Sequence, residues 1–211
     1  MANYVNSLIT FERINEEAKS KLQEMFTRLR VDNEQQWLSD IFVDGTELTY
    51  EQSERYEWTT ANIGPKWCYV EDYDVEAKSP YINSVSAWSP PSEGLISIME
   101  ILKEYDDNIV ATITYEDEGP NFVGWGIYTS EDYMVYGDEI DDEGIRELMF
   151  EENPDLSEGW DENEEDWKED EDGESCRDKF YDFIWENVSD WQMTGIGNVL
   201  PFALNEEEEN K

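Results

Sequence analysis

Apolar positions follow two different periods over the first 130 residues. Asn3 to Phe11 is rich in Val, Ile and Phe and reads as a strand. In the next stretch, Asn15 to Arg30, Leu22, Met25, Phe26 and Leu29 fall at i, i+3, i+4 and i+7, which predicts a helix. Trp37, Leu38, Ile41 and Phe42 suggest a short helix, Gly45 a turn, and the polar-aromatic run to residue 64 carries no motif. Lys66 to Val75 and Ile82 to Ser89 read as strands around a Ser79-Pro80 turn. Pro90-Pro91 ends the second of them, and Ser92 is expected to cap a helix through Tyr105 that buries Leu95, Ile98, Met99 and Leu102. Ile109 to Tyr115 and Phe122 to Tyr128 give two more strands about a turn at Glu118-Gly119-Pro120. The order β-α-β-β-α-β plus one strand predicts an α+β protein: an antiparallel sheet with both helices on one face, the ferredoxin-like split βαβ arrangement. Trp67 and Trp88 are expected on neighbouring strands as one aromatic layer of the core, with Gly119 and Gly124 at tight backbone positions.

After residue 130 the pattern changes, which divides the chain into a sheet domain (1–130) and an acidic extension (131–211) with a helix near 176–191. Phe180, Phe183, Ile184, Val188 and Trp191 form the apolar side of that helix. The whole chain of 211 residues holds 54 acidic and 14 basic side chains, net −40. Residues 1–130 carry net −15, residues 131–175 carry 22 acids against 2 bases, and residues 176–211 carry net −5. Acidification of every surface would not leave the first helix with ordinary Glu17/Lys21 and Glu24/Arg28 pairs, so the charge points to a dedicated acidic surface.

That balance excludes ion-driven binding to nucleic acid or to an anionic membrane. The absence of histidine excludes imidazole bases, His-dependent nucleophiles and His-ligated zinc. The 29 aromatic residues supply apolar surface for a folded core. Cys68 and Cys176 form no redox or metal-spaced pair, Met1 to Thr10 lacks the features of a signal peptide, and no run approaches 18 apolar residues. A cytoplasmic protein of the host cell is the expectation.

The segments Gly64-Pro65-Lys66-Trp67, then Ser86-Ala87-Trp88-Ser89-Pro90-Pro91, then Tyr115-Glu116-Asp117-Glu118-Gly119-Pro120-Asn121-Phe122-Val123-Gly124 occur in this order. In that order they resemble the YubB-type ferredoxin-like domain of plasmid and phage proteins. The resemblance covers about residues 1–130. It implies a fold and a mobile-element setting but no activity, and it does not reach the acidic extension.

Two runs space their carboxylates by four. Asp178, Asp182, Glu186 and Asp190 would form a ridge about 18 Å long on a helix, stepping about 6 Å at a time, much as phosphates do along one strand. The second run is Glu158, Glu162, Asp166, Asp170 and Glu174, with Trp160 and Trp167 one heptad apart. Like charges at i,i+4 cost a helix about 0.2–0.5 kcal/mol per pair, so retaining them calls for a compensating role or for simple solvation. The functional reading is a DNA mimic, a phage- or plasmid-encoded protein that occupies the nucleic-acid site of a host DNA- or RNA-binding protein, such as a defence or DNA-transaction factor. A footprint of roughly 10–12 base pairs is the expectation, with the tryptophans as apolar anchors. The alternative is a structural or adaptor protein of a mobile element whose acidic tail only solubilises. No calcium loop is completed, since Gly144 in the sixth position puts Phe150 in the twelfth, and Gly173 there puts Lys168 in the first. No phosphate-binding glycine loop occurs, and no carboxylate pair is singled out for hydrolysis. The expectation is therefore no catalytic residue, metal or cofactor, and no direct nucleic-acid or membrane binding.

Overall fold

Strand β1 (Tyr4–Arg13) alternates strictly, with Val5, Ser7, Ile9 and Phe11 buried between exposed neighbours. That alternation fixes which way the centre of the sheet faces. The structure is a computed structural model describing residues 3–32, 35–45, 48–119, 121–152, 154–161, 166–167 and 174–205. Along the chain follow α1 (Glu16–Phe26), β2 (Val31–Asp32), β3 (Gln35–Trp37), a 3-10 turn (Leu38–Phe42), α2 (Tyr50–Ser53) and α3 (Tyr56–Asn62). Next come β4 (Cys68–Asp74), β5 (Tyr81–Ala87), α4 (Ser92–Leu102), β6 (Val110–Asp117), β7 (Phe122–Thr129), β8 (Met134–Asp141) and α5 (Asp142–Glu152). A 3-10 turn (Pro154–Gly159), the short strands β9 (Trp160–Asp161) and β10 (Asp166–Trp167), and α6 (Glu174–Asn205) complete it. The fold is mixed α+β, on an eight-stranded antiparallel sheet ordered β2-β3-β4-β5-β1-β6-β7-β8.

One face of the sheet is closed by α1 and α4. Leu22, Met25 and Phe26 of α1, and Leu95, Ile98, Met99 and Leu102 of α4, meet Ile9, Phe11, Ile82, Ala111 and Ile113 in one apolar core. The Asn15 side chain caps α1 by accepting from the backbone N–H groups of Glu17 and Ala18, each at 2.9 Å. Glu24 pairs with Arg28 as expected, but Lys21 turns toward Glu24 instead of Glu17. Pro91, not Ser92, stands at the N-cap of α4, and the helix ends at Leu102. Beside this core, the fully buried Asp40 carboxylate takes a two-point contact from Arg30, whose guanidinium also reaches Glu54 and lies 3.4 Å from the centre of the Tyr50 ring.

The expected Trp67–Trp88 core layer does not form. β5 ends at Ala87, and Trp88 takes a left-handed φ of 66° that turns its ring outward, 51 % exposed, with the Lys66 ammonium 5.5 Å from the ring centre. Trp67 instead stacks on Tyr69 at 5.7 Å.

Nor are the helices confined to one face. On β7 the residues Val123, Trp125 and Ile127 point away from α1 and α4, and an apolar row on that side requires a cover. α6 supplies it through Ile184, Val188, Ile196 and Ala203. Three polar or small residues fix its seat. Gln192 is buried and its amide donates to the carbonyls of Tyr115 (2.9 Å) and Gly124 (3.0 Å). Gly195 lies against Trp125 so closely that a Cβ there would sit 2.5 Å from the indole ring. Arg13 donates to the carbonyl of Leu204 at 2.7 Å, a cation at the negative end of the helix. The helix expected near 176–191 therefore runs from Glu174 to Asn205, and the sheet continues past residue 130 into β8.

Candidate functional site

The outer side of α6 carries Asp182, Glu186 and Asp190, all exposed, opposite the buried Ile184 and Val188. Residues four apart are offset by about 40° around a helix, so these carboxylates climb about 12 Å while winding about 80°. The ridge is a shallow spiral, not the straight row that spacing alone implies. Asp178 belongs to α6 by its backbone, and its side chain lies outside the described residues.

The second run is arranged differently. Glu158 is exposed in the 3-10 turn, and Trp160 is half-buried under the Arg146 guanidinium, 4.4 Å from its ring centre. Trp160 and Trp167 are not helix neighbours one heptad apart but partners across the β9–β10 pair, with Asp161 opposite Asp166. Among the described residues of this run no helix forms before α6; like charges at every fourth position without an apolar face give a helix nothing to pack. Glu162 and Asp170 lie outside the described residues, as do the side chains of Asp166 and Trp167.

Carboxylates that spacing did not single out are exposed nearby. Asp138, Glu139 and Asp141 stand on β8, the last strand of the sheet, where charge opposes pairing with another chain; Asp138, opposite Trp125, shares the α6 side, and Glu139, opposite Gly124, points to the other face. Asp142 and Glu143 fill the first turn of α5, where acids suit the positive end of the helix, and Glu147 follows. The sequence signal was available in this α5 preference. The only base between residues 131 and 161, Arg146, is already paired with Asp142 at 2.7 Å. Tyr115 reaches across Gly124 to donate to Glu139 at 2.8 Å, and burial followed by that bond pushes its phenol far above the usual range. Between β7, β8, α5 and α6 lies an apolar cavity of about 300 Å³, bordered by Ile140, Ile145, Phe183 and Trp191 with Asp190 beside it.

Elsewhere, Cys68 is buried in the first core and its thiol is pushed up to about 12 by burial, so it is no nucleophile at neutral pH. Among the described residues no three potential metal ligands cluster, and no helix is long and apolar enough to cross a membrane. The chain matches no protein-family model, no curated protein and no solved structure.

Proposed function

We propose that this chain is a binding protein, not an enzyme, and that its acidic α6–β8–α5 surface acts as a DNA mimic that competes with nucleic acid for a basic host protein. The observation that carries the reading is that Asp182, Glu186 and Asp190 are exposed on a helix whose opposite side is locked to the sheet through Ile184, Val188 and Gln192. Carboxylates on a seated helix keep fixed separations, which a solvating tail does not, and fixed separations are what a phosphate-reading cleft selects. A phage or plasmid origin belongs to the same proposal. So does the ferredoxin-like reading of residues 1–130, which the order β4-β5-β1-β6 and the placement of α1 and α4 on one face support.

Removing α6 would expose the core it covers, so the test is charge neutralisation in the full chain. The partner is captured from a host extract at low salt and identified, and binding to it is then measured across a salt series with and without duplex DNA. The variant carrying Asp182→Asn, Glu186→Gln and Asp190→Asn is expected to bind at least about tenfold more weakly, with a salt dependence reduced by about two to three ions, and DNA is expected to displace the native chain. Simultaneous binding of DNA and this protein, or an unchanged affinity for the triple variant, would refute the mimic. It would leave the adaptor reading, with the acids as a solubilising coat.

A further inference from the structure

α6 covers the second face of the sheet only over β6, β7 and β8. Among the described residues no helix lies over β4, β5 and β1 on that face, and between it and α6 runs a groove of about 390 Å³. Its floor is laid by alternate residues of adjacent strands. Leu8 of β1 stands opposite Asn83 of β5 on one side and Thr114 of β6 on the other, and Asn6 stands opposite Glu116. The wall is the side of α6 bearing Trp185 and Ser189.

Two properties of this groove separate it from an ordinary wet surface. The first is apolar exposure inside an otherwise anionic molecule, for Trp185 is 54 % exposed and Leu8 38 % exposed. The aromatic lining continues beyond the groove along Tyr4, Trp67, Tyr69 and Trp37, whose ring centres are 5.4, 5.7 and 6.4 Å apart in turn. The second is charge without compensation. Among the described residues, Glu71 and Glu116 line the groove, no lysine or arginine does, and neither carboxylate has an ion-pair partner. Burial raises the pKa of Glu116, so its ionised form is held at a cost that a bound cation would remove.

We propose that this groove docks an extended, arginine-bearing segment of a protein partner, with one guanidinium at Glu116 beside Trp185 and another at Glu71. Arginine fits better than lysine because a planar guanidinium both pairs with a carboxylate and stacks on an indole. Glu71 and Glu116 lie on strands three places apart, β4 and β6, a span of about 14 Å at the usual strand spacing. An extended segment advances about 3.3 Å per residue, so two arginines four positions apart, on the same side of the segment, match that span. A nucleic-acid strand does not fit, since its phosphates would meet both carboxylates. The groove is separate from the spiral of Asp182, Glu186 and Asp190, and this inference stands or falls without the mimic.

The test uses the full-length chain and a capped peptide, Arg-Gly-Ser-Gly-Arg, with its citrulline analogue as the neutral control. Binding is followed by calorimetry and by the amide and indole N–H resonances in about 0.15 M salt, where diffuse surface attraction is screened. Saturable one-site binding is expected, with the Trp185 indole and the Asn6 and Asn83 amides shifting most and the citrulline peptide inert. Trp185→Ala and Glu116→Gln should each weaken binding about fivefold or more, while Asp182→Asn with Glu186→Gln changes it less than about twofold. Unaltered resonances away from the groove certify that each variant is folded. Equal affinity for the citrulline peptide, indifference to both groove substitutions, or loss of binding in the Asp182/Glu186 variant would each overturn the proposal.

Discussion

On one face of the sheet, Ile82, Ile9 and Ile113 stand side by side on three neighbouring strands and meet α1 and α4 in one apolar core. On the other, α6, joined by Ile145 and Met149 of α5, closes over β6–β8 and leaves Asn6, Leu8, Asn83 and Glu71 at an open groove. The first face is held by many interchangeable apolar contacts. The second depends on a few particular residues: the Gln192 amide on two strand carbonyls, the Gly195–Trp125 contact and the Arg13 bond to Leu204. Trp185 and the carboxylates of Asp182, Glu186 and Asp190 are exposed on the second side, where burial has not consumed the surface.

The largest effect that tests this contrast is a core truncation. Phe11→Ala removes a fully buried ring from the first face and is expected to cost about 3–5 kcal/mol in denaturant unfolding. Ile184→Ala removes a buried side chain of α6 that already borders a cavity, and about 2 kcal/mol is expected. Comparable losses at the two positions would mean that α6 is packed as tightly as the inner helices, and the contrast would fail.

A sharper measurement turns on sign. Alanine is a better helix former than glycine by about 1 kcal/mol, so on a helix touching nothing Gly→Ala stabilises. Gly197 has no atom within 4 Å of where its Cβ would stand, and Gly197→Ala is expected to raise stability by about 0.5–1 kcal/mol. A Cβ at Gly195 would stand 2.5 Å from the Trp125 ring, and Gly195→Ala is expected to lower stability by about 1–3 kcal/mol as helix and strand are forced apart. Thermal melts of the two variants decide the matter. If both substitutions stabilise, α6 is not seated on the sheet, and the fixed spacing on which the mimic rests disappears with it.

The first face was legible in the sequence because each of its elements carries its own period. The spacing of Leu22, Met25 and Phe26 locates α1, and that of Leu95, Ile98, Met99 and Leu102 locates α4, without reference to anything distant. The second side was legible only in part. β8 is an edge strand whose Asp138, Glu139 and Asp141 look like solvated loop, and its pairing with β7 is a tertiary fact. The C-terminal half of α6 contains Gly195, Gly197 and Pro201, which punctuate the helical pattern, although Gly195 is there to admit an indole. Trp88 leaves the expected core layer because aromatic content predicts burial on average and not the left-handed turn that follows Ala87. The groove could not be read at all, since its residues come from four strands and one helix and no local pattern joins them. Of the acidic runs, the one with an apolar opposite side folded as a helix, and the described residues of the other before α6 form a 3-10 turn and a strand pair.

The smallest expected effect bears on the open part of the second face. Burial raises the pKa of Glu116, so in the folded chain its ionised form is disfavoured relative to the unfolded chain. A carboxylate raised in this way favours folding fully below the ordinary carboxylate range, and that contribution is lost as pH climbs through the raised value. Glu116→Gln removes the charge and keeps the shape. The variant should therefore match the native chain near pH 3 and become the more stable of the two as pH rises toward neutrality, a difference read from paired melting curves in which the other 53 acids cancel. The same substitution is expected to weaken arginine-peptide binding, so stability and affinity should move in opposite directions at neutral pH. A carboxylate that served only the fold would move them together or move neither, and a stability offset independent of pH would show that its burial is not what the groove turns on.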